Sequence, residues 1–481
     1  MLLLVACRRL AYAAPGELRL AEIVAVAVRQ SPELARARID ADAARAALQR
    51  AEGIEDTQIS ATASTLAQHT PEHDPEGELV EVDSNVGVSV TRRVATGGQL
   101  GISATGDRLH TTTRGQPESD VQHRYFAALQ LLLNQPLLRG GGAAAFEAPI
   151  RQAARQRDAA ALNQEARARD LLVSLAQAYW QVAFAARQLE VRKASLDLAQ
   201  KQLAYTEGAI RAEKVPRSEA LAVQQAIATR KQDVIAGEQE VYERSLALRQ
   251  LAGLEIGPDA LIVTTEPLPA QLPADELDAT AVVRAAFDHS PELAALAASR
   301  RAAEIGVVVA DSAARPRLDL DVSGGVTGAD RHATSALRSG VDLPGYQVDA
   351  SLTFQQSIER RAERGGQAVA RASVATARIA EQDGRARLAV RATRAVQRAR
   401  AALASIALGD EAIELAQQNI TAELHRFELG KSTNFDVLRR QDELEQARLR
   451  HASAVTDYLS ARADLDGLSG QILTRYGIVM P

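Results

Sequence analysis

The sequence predicts a mostly α-helical fold with a minority of β-strand, built from two internal repeats of helix, strands and two long helices. Three observations predict it. Ala, Arg, Glu, Leu and Gln dominate while aromatics make up only 3%, a make-up that suits long helices with narrow apolar seams. The chain repeats itself at a fixed offset. Between the helices the apolar period changes from about 3.6 to about 2, which separates helix from strand.

At the N-terminus, residues 1–14 read as the remnant of a secretory signal whose basic n-region is missing, as if the start codon were placed too late. Leu4-Val5-Ala6-Cys7 resembles a lipobox, which would make Cys7 lipid-bearing, whereas Ala11-Tyr12-Ala13 offers an ordinary cleavage site. Both readings export the chain.

Two repeats follow, at 15–256 and 275–472, joined by a linker at 257–274 and trailed by residues 473–481. Sliding the chain by 217 positions brings Leu171 onto Leu388, Ala178 onto Ala395, Glu219 onto Asp436, Gln224 onto Gln441 and Gly253 onto Gly470. Ser31-Pro32-Glu33-Leu34 recurs as Ser290-Pro291-Glu292-Leu293 at a different offset, so insertions lie between. Self-similarity of this kind marks duplicated structural units.

Each repeat opens on a helix, at about 18–51 and 277–314. Its long helices are expected at about 143–211 and 216–252, then at 363–429 and 433–468. Leu171, Leu175, Ala178 and Val182 recur three and four apart, as on an amphipathic helix. A helix of ~60 residues is ~90 Å long, beyond any globular norm, and must pack along others or wall a tube.

The strands are expected at about 57–137 and 316–357. In 317–323 and 347–354 alternate residues are apolar, and Val86, Val88 and Val90 share one face. Tyr125, Ala127, Leu129, Leu131 and Leu133 do the same. Thr96-Gly97-Gly98 separates two alternating stretches, 85–93 and 99–105, as an extra hairpin without an equivalent in the second repeat. Polar loops are expected at 68–81 and 327–345. Alternating strands of about ten residues with polar loops mark an outer-membrane barrel, although a soluble sandwich alternates too. Too few strands are present to close a barrel, and lipid forbids an open edge, so several chains must pool them.

Other classes fare worse. With 56 Lys and Arg against 61 Asp and Glu, the chain lacks the basic surface that nucleic acid requires. The single cysteine excludes a disulfide framework and a Cys-based zinc site. No run approaches the ~18–20 apolar residues of a membrane-spanning helix. His69 and His73 are four apart in a Pro-bearing loop, not on a helix, and Arg139-Gly140-Gly141-Gly142 lacks a phosphate-loop lysine. No enzyme and no cofactor are expected. A soluble or periplasmic coiled-coil scaffold without a channel is the alternative, and it leaves the strands and the signal remnant unused.

Three motifs carry a family resemblance over nearly the whole chain: the repeated Ser-Pro-Glu-Leu, Asn134-Gln135-Pro136-Leu137-Leu138-Arg139-Gly140-Gly141, and the run from Phe427-Glu428-Leu429-Gly430 through Lys431-Ser432-Thr433-Asn434-Phe435-Asp436-Val437-Leu438. The chain resembles the TolC family of outer-membrane efflux and secretion ducts. The resemblance implies a TolC-like homotrimer with one β-barrel in outer-membrane lipid and an α-helical barrel continuing it through the periplasm. Its implied partners are a periplasmic adaptor (membrane fusion) protein and an inner-membrane transporter, as in a tripartite efflux pump or type I secretion system.

It also implies that the turns joining the long helices, at 210–219 and 427–439, form the periplasmic gate and adaptor-contact tips. Glu213, Pro216, Arg217, Glu219, Phe427, Gly430, Lys431, Asp436 and Arg439 fall there. Gly430 suits a left-handed helix end, and Thr433 with Asp436 forms a capping-box pair. Asp436 is either a gate carboxylate or a plain cap, and Arg439 weakens a double acidic ring. In the first repeat Glu213 stands where Gly430 does, Pro216 fits a first helical turn, and the preceding helix is expected to end near Gly208.

Overall fold

The computed structural model describes residues 17–70, 79–113, 122–213, 215–254, 263–264, 266–269, 278–342 and 345–477. Cys7, His73 and most of the linker lie outside them. Two compact units emerge, and they are not the two repeats: one joins residues 1–41, 161–295 and 382–481, the other 42–160 and 296–381. Each unit therefore draws on both repeats.

The strand-bearing unit holds one six-stranded antiparallel sheet. Its strands are β2 (Gln58–Thr70), β3 (Leu79–Arg93), β4 (Gln99–Thr113), β5 (Gln122–Pro136), β7 (Arg317–Asp330) and β8 (Gly345–Gln355), in the order β2-β3-β4-β5-β7-β8. The expected extra hairpin is present as β3 and β4, longer than predicted and placed in line with its neighbours. The expected loop at 327–345 is shorter, because β7 runs to Asp330 and a helix, α7 (Ala333–Asp342), follows. That helix is too short and too polar to stand out in sequence. The loop expected at 68–81 is also trimmed, since β2 reaches Thr70 and β3 starts at Leu79.

Register sorts the side chains. Ile59, Val90, Ile102 and Leu131 stand side by side across four strands and continue to Gly324 and Val348. Because side chains alternate along a strand, this face also carries Val86, Val88, Leu129, Val322, Leu352 and Phe354. Several are more than half exposed: Ile59 by 74%, Leu131 by 64% and Val348 by 71%. The opposite face is polar. There Asn134 donates to Asp321 at 2.5 Å, Asn85 donates to Asp107, and the Ser60 and Ser89 hydroxyls meet at 2.7 Å. One oily face and one wet face define the sheet.

Where β5 hands over to helix, Gly140 and Gly142 take φ of +77° and +89°. The β3–β4 turn docks there. Gly142 N–H donates to the Thr96 carbonyl at 2.8 Å, and Gln135 and Thr96 share a 2.8 Å side-chain bond. Gly97, at φ +84°, has no room for a side chain, since a Cβ would lie 2.2 Å from the Gly140 carbonyl oxygen.

The helical unit holds α1 (Leu20–Gln30), α4 (Ser218–Ala252), α5 (Ala279–His289), α9 (Asn434–Leu468), α10 (Gln471–Arg475) and the larger parts of α3 (Ala143–Arg211) and α8 (Arg361–Glu428). A short parallel pair joins β1 (Glu17–Leu18) to β6 (Val263–Thr264). One core packs Ile23, Val24 and Ala27 of α1 on Leu171, Leu175 and Tyr179 of α3, with Leu248 and Ile472. A second packs Ala286 of α5 on Ala392, Val396 and Ala399 of α8 and on Tyr458 and Leu465 of α9. Alanines at the seams let the backbones approach closely.

The opening helix of each repeat is not continuous, contrary to expectation. It breaks at Ser31 into α1 and α2 (Pro32–Glu52), and at Ser290 into α5 and α6 (Pro291–Ala313). Ser31 is extended (φ −60°, ψ 124°), as is Ser290 (φ −81°, ψ 111°). The following proline clashes with a helical residue before it and imposes that kink.

Candidate functional site: two helical turns and the bridge between them

The second turn ends α8 as expected. Gly430 sits at φ +70°; its N–H donates to the Phe427 carbonyl at 2.9 Å, and Lys431 N–H donates to the Arg426 carbonyl at 2.9 Å. These two bonds make a Schellman ending. Thr433 then caps α9. Asp436 N–H donates to its hydroxyl oxygen at 3.3 Å, Thr433 N–H donates to the Asp436 carboxylate at 3.3 Å, and the Thr433 hydroxyl donates to that carboxylate at 2.7 Å. The carboxylate of Asp436 is thus engaged within its own turn. The Thr433 hydroxyl first, then its backbone N–H, hold the Asp436 pKa below the usual range; Arg426 and Arg439 add to this while desolvation opposes it.

The first turn reaches the same backbone without glycine. Glu213 takes φ +59°, and its N–H donates to the Ile210 carbonyl at 3.0 Å, matching the Gly430 bond. Gly208 does not terminate the helix; α3 runs through it to Arg211, the bound that the apolar spacing predicts. Pro216 also lies before the helix instead of in its first turn, since α4 begins at Ser218 with Arg217 as its N-cap. Pro216 and Arg217 are exposed, and Pro216 accepts a 3.1 Å bond from Glu219 N–H.

Glu219 points away from its own turn. Its carboxylate accepts from the Asn434 side-chain amide at 3.1 Å and from Asn434 N–H at 3.4 Å. The fully buried Asn434 in turn accepts from Gln202 at 2.7 Å and from the Thr206 hydroxyl at 2.9 Å. One side chain of α9 thus closes a polar knot with α3 and α4. Deeper in, the buried Arg230 of α4 donates to the Ser195 carbonyl at 3.0 Å, to Gln441 at 2.8 Å and to Asp442 at 2.7 Å. Val223, Ile227 and Ala199 pack with Leu438 beside it.

Phe427 is buried and its ring lies 5.6 Å from that of Tyr205. Ser432 donates to the buried Glu423. Lys431 and Arg439 are exposed, with Arg439 3.3 Å from Glu443. Leu429 and Phe435 are exposed too, Phe435 by 69%. Glu219, Phe427, Gly430 and Asp436 are therefore each fixed by contacts at the turns, while Glu213, Pro216, Arg217, Lys431 and Arg439 lie on the surface. Asn434 and Arg230 were not singled out in the sequence, and no local pattern marks them. Asn434 reads there as an ordinary post-cap residue, and Arg230 as one basic residue in an Ala/Arg/Lys stretch.

An oily-faced antiparallel sheet and long helices from both repeats are the two defining parts of the fold. Residues 282–471 carry the domain described as outer membrane efflux protein. The outer-membrane channel OprN is similar over 94% of this chain and 89% of its own, with 16% identity and a TM-score of 0.71. VceC of Vibrio cholerae is similar over 94% and 96%, with 16% identity and a TM-score of 0.69. The CmeC outer-membrane channel of Campylobacter jejuni matches over 94% and 85%, with 12% identity and a TM-score of 0.70. No curated protein matches by sequence. The chain has the fold of these outer-membrane channels over nearly its whole length, and residues 282–471 carry the efflux-protein domain.

Proposed function

We propose that three copies form one duct, with the β-sheets pooled in outer-membrane lipid, the long helices in the periplasm, and the two turns at the inner mouth. The duct receives cargo from a periplasmic adaptor and an inner-membrane transporter, as in a tripartite pump or a type I system. The observation that carries this reading is the tip itself. Leu429 and Phe435 are exposed apolar side chains on either side of a turn fixed by the Gly430 ending and the Thr433–Asp436 cap. An ordered apolar tip in water suits a partner surface. Glu213, Arg217, Lys431 and Arg439 supply its charged rim, Pro216 lies exposed among them, and Glu219 and Asp436 add further acids. Cys7 is the anchor for a lipid if the lipobox reading holds.

Gly430→Val tests the tip. A Cβ at Gly430 meets nothing within 4 Å, so the cost is the left-handed backbone alone, on the order of 1–3 kcal/mol for a β-branched residue. Normal trimer yield in outer membranes with lost export supports the reading. Normal export would reduce the tip to a passive connection. A detergent-purified particle with the mass of one folded chain would overturn the three-fold duct.

A further inference from the structure

The β3–β4 hairpin is the feature the duct reading leaves unexplained. Among the described residues it adds two strands to the first repeat that the second lacks, β2 to β5 standing against β7 and β8. Three facts place it in the wall of the sheet, not as an appendage. It pairs on both flanks over most of its length, Gln58–Thr70 of β2 with 79–91 and Gln99–Thr111 of β4 with 122–134. Its apolar residues continue the oily face without a slip, as Ile59, Val90, Ile102 and Leu131 show. Its turn is bolted through Thr96 and Gly97 to the β5 exit.

Edges supply the rest. Among the described residues β2 and β8 each pair on one side only, and residues 58–69 and 345–355 are exposed. With six alternating strands the first and last run in opposite directions. A second copy placed head to tail by rotation then sets β2 beside β8 antiparallel, the heterologous contact that closes rings. Six strands cannot close alone, because the smallest membrane barrels need about eight.

We propose that the β3–β4 hairpin is a wall segment that widens the outer-membrane pore, β2 of one copy pairing with β8 of the next so that three six-stranded sheets close an eighteen-stranded barrel. This rests on the three-copy reading above. Barrel diameter grows roughly linearly with strand number, and about 16–18 strands leave an open aqueous channel. Without the hairpin, three four-stranded sheets would give twelve strands and a bore about a third narrower. The hairpin thus admits bulkier cargo at the outer membrane.

Deleting residues 79–113 is the direct test, since it sets Ile59 beside Leu131 and keeps every face unchanged. Ser323→Cys, on the polar face of β7, is placed in both the full chain and the deletion. Whole cells then receive maleimide-polyethylene glycols of graded mass, with labels read peptide by peptide to keep Cys7 out of the count. The largest polymer that reacts should fall at least about two-fold in mass on deletion, as coil size scales near the 0.6 power of length. An unchanged cut-off overturns the proposal.

Should the deletion fail to assemble, the full chain decides by itself. Ser103→Cys, on the polar face of β4, should react with a membrane-impermeant thiol reagent at least tenfold faster than Ala104→Cys on the oily face. Equal rates in a trimeric particle overturn the hairpin's place in the wall and leave the trimer standing. A particle that is not trimeric overturns the count of eighteen together with the three-fold reading.

Discussion

Glu219 and Asp436 occupy the same place in the two repeats, 217 residues apart, yet they perform different tasks. Asp436 folds back on Thr433 and closes its own cap, while Glu219 reaches out to Asn434 of the other hairpin. The neighbours explain the divergence. Thr433 is matched by Pro216, which has neither hydroxyl nor N–H to offer a carboxylate, so the first-repeat acid is left to find a partner elsewhere. Asn434 is matched by the exposed Arg217, and the buried Arg230 by the small, buried Ala447. Duplication supplied two similar hairpins. Substitution at a few positions turned one into a self-contained turn and the other into the arm that holds it.

The sharpest break of that asymmetry is Arg230→Ala. It strips the buried Gln441 and the Ser195 carbonyl of a charged donor, and loss of such bonds costs about 3 kcal/mol. Hydrogen exchange of amides in 223–232 should speed up accordingly. Asp442→Asn should cost far less, because Asp442 is 58% exposed and solvent screens its ion pair. Equal effects would place the weight on the ion pair and not on the buried contacts.

Asn434→Ala follows, at about 2 kcal/mol, since it orphans the Gln202 side-chain amide in the interior, while the Thr206 hydroxyl keeps its 2.8 Å bond to the Gln202 carbonyl. Exchange should rise in both hairpins at once. A rise confined to the second would sever the proposed link. Glu213→Gly acts the other way: it relieves a left-handed non-glycine residue and should slow exchange at 210–213 by on the order of 1 kcal/mol. A loss of order there would mean that the Glu213 side chain does something its backbone does not show.

The smallest effect concerns acid. Asp436 has a folded pKa below its ordinary value of 3.8, so its cap contributes above that value and is lost as pH falls through the lowered one. Trypsin cleavage after Lys431 in protein exposed briefly to strongly acidic buffer, then returned to neutrality, should match the untreated sample. Under acid, exchange at 433–436 should rise before exchange at 217–219.

Much of this was legible beforehand. The long helices announce themselves through apolar spacing and through Gly253, Gly430 and Thr433 at their ends, and the hairpin at Gly97 through its turn residues. The kinks at Ser31 and Ser290 were hidden because the apolar period runs on across them, though Pro32 and Pro291 were the signal to heed. The end of α3 near Arg211 follows from the apolar spacing, but what ends it does not, because Gly208 looks like a terminator whereas Glu213 takes the left-handed role. The Asn434 knot joins residues more than two hundred positions apart. Only the packing of one hairpin on the other brings them together, and no local pattern encodes that.

The two bare edges of the sheet also set the order of events in time. Unpaired backbone amides and carbonyls are excluded from hydrocarbon, and in water an exposed edge with an oily face invites sticking to any passing strand. A single copy consequently has no comfortable waiting place on either side of the membrane boundary. In the three-copy duct proposed above, insertion has to coincide with the arrival of the neighbours, so the rate at which this chain matures should depend on its own concentration. Folding and counting to the final number of copies are then one step.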